Sequence, residues 1–375
     1  MAFLLSTRLA ALFLRYNLFK IRSYALQCCS GEVRLLREVK LLGQLRNFSR
    51  YKKHQFKPGQ DELNSQVKPD IPVIDYEGSN YQTDFWVGKG RDYEDQAERM
   101  VLDRLVPQKG TRVAEIGAGF GRLADLYLGY EQIILFDYSR TLLQEAVERW
   151  GADPRFIFAA GNIYQLPFAD AALDTLVMVR VMHHLANVET ALAQIRRVLH
   201  AESCAILEYA NKRNLKSLLR WYVGRQSWSP NSFDPVEFVE LNFDFHPRWM
   251  DECFQKVGLH KEEQLAVSHF RMPLLKKTIS PHLLVQFEQI LVKPGGIFPL
   301  APSVFVKVHA QQEALPNAQD NRVNSHSIND LTQLFRCPQC ETESLTQESD
   351  SCLHCKNCHT RYLRKNKIWD FKNPQ

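Results

Sequence analysis

The feature that most constrains this chain is a glycine-rich stretch between two apolar runs. The run Val-Ala-Glu-Ile leads into Gly117, Gly119 and Gly121, and a second apolar run ends in a carboxylate at Asp137. The pattern predicts a buried strand, a glycine turn that opens a helix, and a second strand ending in an acid. Glycines let the backbone approach a ligand closely, and an acid at that position can accept both hydroxyls of a ribose. The stretch therefore predicts a site for a nucleoside cofactor.

The spacing of the glycines narrows the choice of cofactor. A dinucleotide fingerprint needs a third glycine where this chain has Arg122, so the pattern is Gly-x-Gly-x-Gly. A pyrophosphate-containing cofactor is therefore disfavoured, and S-adenosylmethionine (SAM) is favoured.

The order of strand-like and helix-like stretches predicts the fold class. Between about residues 71 and 310 they alternate, which is typical of a Rossmann-like α/β fold with a seven-stranded, doubly wound sheet. A helix is expected over 121–128, directly after the glycine turn, and residues 215–243 and 273–292 are expected to be helical insertions. The predicted domains are a basic N-terminal tail (1–70), the α/β domain (71–310), a polar linker (311–332) and a cysteine-rich domain (333–375).

Residues 113–209 resemble class I SAM-dependent methyltransferases of the type-11 group, which includes ubiquinone and menaquinone methyltransferases. The resemblance implies SAM as cofactor. Asn162 stands where this family usually has Asp, and its side-chain carbonyl can still accept a hydrogen bond from the adenine amino group. The resemblance implies the following cofactor-binding residues: Glu115, Gly117, Gly119, Gly121, Asp137, Tyr138, Asn162, Ile163 and Arg180.

Two adjacent histidines follow the predicted fourth strand. Ligands bind at the carboxyl edge of such a sheet, so His184 or His183 could abstract a proton from the methyl acceptor as a catalytic base. The alternative is structural, with one imidazole packed against the neighbouring helix and the other in solvent. Methyl transfer does not require a base, because the sulfonium already activates the methyl group and alignment provides most of the catalysis.

Five of the nine cysteines lie within residues 337–358, and four of them form two CxxC pairs. Cys337, Cys340, Cys355 and Cys358 have the spacing of a four-thiolate structural zinc site, with Cys352 as the spare thiol. The alternative is a set of free, reduced cysteines. The segment also resembles the small zinc-ribbon proteins that activate tRNA and translation-factor methyltransferases.

The N-terminal segment is strongly basic. Residues 1–60 carry twelve Lys or Arg against two Glu, whereas the net charge of the whole chain is only +5. Charges interrupt any apolar run of about 20 residues, so no membrane-spanning helix is predicted. The segment is expected to be an organelle presequence, a membrane-surface helix or a tail without an addressing role. The clustered cysteines favour a reducing compartment, which predicts a cytoplasmic location, or the mitochondrial matrix if residues 1–30 are a presequence.

These features predict a methyltransferase that moves the SAM methyl group to a small or lipid-like acceptor by in-line displacement. One alternative is a methyltransferase acting on RNA or a translation protein, which the ribbon and the basic tail would suit. Another is a non-catalytic assembly factor with the same fold. The small or lipid-like acceptor is suggested by aromatic residues at or after the predicted sheet edge: Phe168, Trp221, Tyr222, Trp228, Phe243 and Phe245.

Overall fold

A computed structural model describes residues 71–78, 90–310 and 330–375 of this chain. The predicted basic tail and nearly all of the predicted linker lie outside these residues. The described strands are β1 Gly110–Ile116, β2 Tyr130–Asp137, β3 Phe156–Ala160, β4 Leu173–Met178, β5 Leu199–Ala210, β6 Val236–Val239, β7 Asn242–Asp244, β8 Leu259–Val267, β9 Ser303–Ala310, β10 Leu345–Ser349, β11 Cys352–Cys355, β12 Arg361–Lys365 and β13 Ile368–Asp370.

Seven of these strands form the predicted Rossmann-like sheet, in the order β3-β2-β1-β4-β5-β9-β8. The first five in this order run parallel, and β9 is antiparallel to both of its neighbours. The central strands are apolar on both faces because helices and loops cover both sides of the sheet. The prediction of the fold class is confirmed.

The described helices are α1 Asp92–Leu105, α2 Arg140–Trp150, α3 Val188–Val198, α4 Leu215–Tyr222, α5 Pro247–Lys256, α6 Pro273–Thr278, α7 Pro281–Ile297 and α8 Leu331–Leu334. Local sequence sets several of their starts. The side chains of Ser139, Asn187 and Asn214 each accept a hydrogen bond from a backbone N–H in the first turn of their helix. None of the helices in the described residues is long and apolar enough to cross a membrane.

The prediction of a helix over residues 121–128 is wrong. The glycine turn is followed by a short 3-10 helix, Ala124–Tyr127, and β2 begins at Tyr130. Gly117, Gly119 and Gly121 all have positive φ, so the chain is still in left-handed turns at residue 121. The eight residues left before β2 allow about two helical turns at most, including the connection to the strand.

The insertion expected to be helical over 215–243 is only partly so. It consists of α4 followed by the β6–β7 hairpin. Gly224, with a positive φ, lies two residues after the end of α4, and the prolines at 230 and 235 oppose further helix.

The cysteine-rich segment continues the main sheet. Strands β10 to β13 form an antiparallel meander, and β13 pairs in parallel with β3, so the whole sheet has eleven strands. The Phe371 N–H donates to the Ala160 carbonyl, and Arg140 pairs with Asp370 at 2.8 Å. The predicted domain boundaries stay predictions, but residues 330–375 pack against the α/β domain as one unit with it.

Candidate functional site

An open cleft with about 1000 Å³ of empty space lies at the carboxyl edge of β1, β2 and β4. This is where parallel α/β sheets bind their ligands. Of the predicted cofactor-binding residues, the cleft is lined by Glu115, Gly117, Gly119, Asp137, Tyr138, Ile163 and Arg180.

The glycine turn shapes the floor of this cleft but offers few free donors. The N–H groups of Gly117 and Ala118 both donate to the Phe136 carbonyl, at 2.8 and 3.1 Å, and the Gly119 N–H donates to Asp137 at 2.7 Å. A Cβ on Gly117 would lie 2.1 Å from Cγ2 of Val181, so only glycine fits there. The turn therefore lets a ligand approach the backbone closely, and it does not open the helix that the sequence predicts.

Asp137 is the buried acid at the end of β2. One carboxylate oxygen accepts from Gly119 N–H and the other from Ser139 N–H, at 2.7 and 2.8 Å. Burial raises the pKa of Asp137, while these backbone hydrogen bonds oppose the rise. Each oxygen keeps a further lone pair for a ligand hydroxyl.

Glu115 is a second buried carboxyl group in the wall of the cleft. Burial raises its pKa to about 8, with Arg122 opposing and Asp137 adding to the rise. Its Oε2 atom has no hydrogen-bond partner among the described residues. Behind it, fully buried Glu98 pairs with both Arg122 and Arg180, and these charges lower the pKa of Glu98.

Two of the predicted cofactor residues do not line the cleft. Asn162 accepts a hydrogen bond from Tyr164 N–H at 2.9 Å and so caps the 3-10 helix Ile163–Gln165. Gly121 packs under Trp150, whose indole N–H donates to the Gly121 carbonyl at 3.0 Å. Their assignment to the cofactor stays a prediction.

Of the two histidines, His184 lines the cleft and His183 does not. Nδ1 of His184 lies 3.2 Å from the Leu241 carbonyl, so this nitrogen carries the proton and Nε2 can accept one. Nε2 lies 3.3 Å from the hydroxyl of Tyr76, another lining residue. Burial lowers the pKa of both histidines, so both are neutral at neutral pH. A catalytic role for either histidine stays a prediction.

Ser268 and Arg271, which follow β8, also bear on this edge of the sheet, and sequence reasoning did not identify either of them. Because β8 and β5 are both antiparallel to β9, the carboxyl end of β8 lies at the same edge as the cleft. Ser268 is fully buried with a φ of 72°, and its hydroxyl has no hydrogen-bond partner among the described residues. Arg271 makes no hydrogen bond or ion pair with any described residue, and burial together with nearby Arg180 lowers its pKa. Strained backbone and unsatisfied polar groups of this kind concentrate at functional sites.

The aromatic residues expected near the sheet edge separate into three groups, of which Trp228 and Phe243 are the half-buried pair. Phe168 and Phe245 are buried in the core, stacked on Phe335 and Trp249 respectively, so the expectation that they form a surface is wrong. Trp221 and Tyr222 on α4 are exposed, Tyr222 by 85%.

The four predicted cysteines meet in one cluster. The sulfurs of Cys337, Cys340, Cys355 and Cys358 all lie within 4.8 Å of one another, and two of the pairs are 3.5 Å apart. A tetrahedral zinc site requires sulfurs roughly 3.8 Å apart, so the cluster fits zinc. The thiol of Cys352 points elsewhere, 3.5 Å from Glu348.

The two halves of this cluster repeat one local structure. The N–H groups of Cys337 and Cys355 donate to the carbonyls of Thr342 and Thr360, which lie five residues further on in each case. Each threonine hydroxyl is also 3.1 Å from the second cysteine sulfur of its own pair. The repeated sequence Cys-x-x-Cys-x-Thr carries this signal, which the spacing of the cysteines alone does not contain.

The cysteine-rich segment also reaches the cofactor cleft. Because β13 is parallel to β3, its carboxyl end lies at the ligand-binding edge of the sheet. Nζ of Lys372 there lies 3.6 Å from the centre of the Tyr138 ring, and Tyr138 lines the cleft.

Comparison with known proteins agrees with this geometry. Residues 114–207 match the family model described as a methyltransferase domain. A probable SAM-dependent methyltransferase of Mycobacterium tuberculosis is 29% identical over 148 residues, 39% of this chain and 49% of that protein. The demethylmenaquinone methyltransferase of Beutenbergia cavernae is 33% identical over 102 residues, 27% of this chain and 40% of that protein. The chain thus spans about half the length, or less, of these relatives.

Among solved structures, a chain from the complex of the Haloferax volcanii Trm112 methyltransferase activator with a methyltransferase is similar at 18% identity and a TM-score of 0.43. The match covers 60% of this chain and 96% of that one. The family match over residues 114–207, together with the sheet order, confirms the predicted resemblance to SAM-dependent methyltransferases.

Proposed function

We propose that this protein transfers the methyl group of SAM to a small or lipid-like acceptor. The observation that carries the proposal is the pair of buried carboxyl groups, Glu115 and Asp137. They lie beside a glycine turn whose N–H groups already donate hydrogen bonds within the protein. Such a cleft suits a cationic nucleoside and offers little to a pyrophosphate.

The lining residues suggest how the cofactor would be held. Asp137 would accept the ribose hydroxyls, Tyr138 and Ile163 would flank the adenine, and Arg180 lies on the side expected to receive the methionyl group. When bound, SAM supplies an electrophilic methyl group on its sulfonium. The cleft would then contribute alignment and exclusion of water, which are the main requirements of this displacement.

His184 is the residue best placed to take a proton from the acceptor. Its imidazole is neutral, and Nε2 is the acceptor nitrogen at the lining of the cleft. The hairpin that carries Leu241 fixes this orientation, so the insertion after β5 is also suited to contact the acceptor. The exposed aromatic residues of α4, in the same insertion, favour an apolar acceptor.

Two alternatives keep the same fold. The ribbon and the basic residues of the tail would suit RNA or a translation protein as acceptor, and salt-dependent RNA binding would support that substrate. A non-catalytic assembly factor would not require an intact cofactor site. We further propose a cytoplasmic location, or the mitochondrial matrix if residues 1–30 are a presequence.

Calorimetric titration of SAM into the purified chain tests the proposal. We expect binding, and we expect Asp137→Asn to weaken it at least tenfold, about 1.4 kcal/mol, because the amide puts an N–H where oxygen must accept. Asp103→Asn, at an exposed acid on α1, is the matched control. A wild-type chain that fails to bind SAM at millimolar concentration would exclude the enzyme hypothesis.

A further inference from the structure

Large exposed apolar side chains are concentrated in one part of this molecule. Of the described residues in this class, Leu128 alone lies outside positions 215–300. Single exposed apolar residues are ordinary, but a concentration of them marks an interaction surface. We call thirteen of these exposed side chains the apolar face: Leu215, Leu219, Trp221, Tyr222, Met272, Leu274, Leu283, Phe287, Ile290, Leu291, Ile297, Phe298 and Leu300.

The backbone connects the parts of the apolar face. The first N–H of α4, from Leu215, donates to the Leu300 carbonyl at 2.8 Å, and the Asn211 amide donates to the Pro299 carbonyl at 2.8 Å. The start of α4 is therefore fixed to the segment that follows α7. Helices α6 and α7 are separated by two residues only. One side of α7 is buried against β8 and α1, and its other side carries exposed apolar residues.

The two stretches of chain that carry the apolar face have exposed charges of one sign, whereas the chain between them carries exposed acids, among them Asp234, Glu237 and Glu240. Residues 211–233 contain no acid, and the single acid in residues 264–300, Glu288, is buried against Tyr93 and His269. The exposed charged side chains in these two stretches are all basic: Lys216, Arg220, Arg225, Lys277 and Lys293. The apolar face is thus accompanied by five cations and by no exposed anion of these stretches.

We propose that the apolar face docks onto a lipid bilayer that contains anionic headgroups. Its apolar side chains would enter the boundary between headgroups and acyl chains, and its cations would lie at the level of the lipid phosphates. A second copy of the chain fits less well, because a symmetric contact would bring the same cations of both copies together. The docking does not depend on methyl transfer. The further inference that the methyl acceptor resides in the membrane rests on the proposed function.

Flotation of the full-length chain with vesicles tests the docking. We expect binding to vesicles of phosphatidylcholine and phosphatidylglycerol in equal parts, and weaker binding to phosphatidylcholine alone. The double variant Leu219→Ser/Tyr222→Ser should lose at least tenfold in affinity, and so should Lys216→Gln/Arg220→Gln. Phe287→Ser/Ile290→Ser on α7 provides an independent pair should the α4 variants unfold.

The matched controls lie away from the apolar face. Leu128→Ser removes an exposed apolar side chain and Lys356→Gln an exposed cation, and both should bind vesicles like the wild type. Because the basic tail is present in every variant, unchanged binding by the α4 and α7 variants would assign the affinity to the tail and overturn the proposal. Absence of wild-type binding would also overturn it. So would a dimer, seen by light scattering without lipid, that these variants dissociate. Calorimetry with SAM on the same variants should show unchanged affinity, which separates the docking from the cofactor site.

Discussion

At the scale of single residues, Glu115 makes cofactor binding sensitive to pH. Burial keeps its carboxyl group protonated at neutral pH, because its pKa in the free protein is about 8. A cationic cofactor beside it favours the carboxylate, so binding must release a proton. SAM affinity should therefore rise by up to about tenfold per pH unit as the pH approaches 8, and level off above that value.

Calorimetry in buffers of different ionisation enthalpy measures this proton release directly. Glu115→Gln should bind SAM with little dependence on pH, whereas the surface variant Glu148→Gln on α2 should behave like the wild type. Proton uptake on binding by the wild type would contradict the assignment of Glu115 to the cation side of the cleft.

Arg271 and Arg122 predict opposite effects on stability, although both are arginines at the same edge of the sheet. Arg122 pairs with half-buried Asp95 and with fully buried Glu98, so Arg122→Met removes one of the two arginines that neutralise Glu98 and should cost about 1.5–3 kcal/mol. Arg271 has no hydrogen-bond or ion-pair partner among the described residues, and burial and Arg180 lower its pKa, so its surroundings disfavour its charge. Arg271→Met should therefore raise the free energy of unfolding of the ligand-free chain by about 1 kcal/mol.

Chemical denaturation of the two variants beside the wild type checks the contrast. Equal losses in both would mean that Arg271 is structurally paired in solution. A stabilised Arg271→Met variant would fit a residue retained for a ligand at the expense of stability.

At the scale of elements, the glycine turn after β1 is limited by packing as well as by backbone conformation. Gly117 and Gly119 both have left-handed φ, at 73° and 53°, so alanine at either position should cost about 1 kcal/mol. Only at Gly117 would the new Cβ collide with Val181; at Gly119 the nearest atom, on Leu142, is 3.9 Å away. Gly117→Ala should therefore cost about 1–3 kcal/mol more than Gly119→Ala.

Denaturation curves of both variants measure this difference. Adding Val181→Ala to Gly117→Ala should recover the additional loss, because it removes the atoms that collide. If the two single variants are equally destabilised, the end of β4 is free to move away from the turn, and the cleft is less rigid than described.

Elements formed by interactions between neighbouring residues can be predicted from the sequence. Elements that depend on packing between distant residues cannot. The strands of the seven-stranded sheet were predictable because their apolar runs are local signals, and so was the acid at the end of β2, whereas the β6–β7 hairpin lies in a stretch expected to be helical. The helix expected after the glycine turn was not, because three positive-φ glycines at alternate positions and the short distance to β2 prevail over local helix preference. Ser268 gives no local signal either, since its left-handed φ is maintained by the surrounding packing.

At the scale of the whole molecule, the pairing of β13 with β3 is the feature that sequence reasoning missed. Cysteine spacing identifies the four ligands, because a metal site needs only their local geometry. It does not reveal which edge of the sheet the ribbon extends, since that depends on backbone pairing between residues about two hundred positions apart. The cofactor cleft is affected, because Lys372 against Tyr138 places the end of the ribbon beside it.

Zinc binding and cofactor binding should be coupled through the ribbon. Small four-cysteine units fold only with their metal, so a chelator should unfold β10–β13, expose the edge of β3 and remove the contact with Tyr138. SAM affinity, measured by calorimetry after metal removal, should fall about tenfold or more, the size of effect that loss of supporting contacts has at other sites.

Cys337→Ser should have the same effect, whereas Cys352→Ser should retain both zinc and SAM affinity, since Cys352 lies outside the cluster. Lys372→Ala should weaken SAM binding without loss of zinc, which separates the contact from the metal. Unchanged SAM affinity in the metal-free chain would show that the ribbon shares the sheet but does not support the cofactor site.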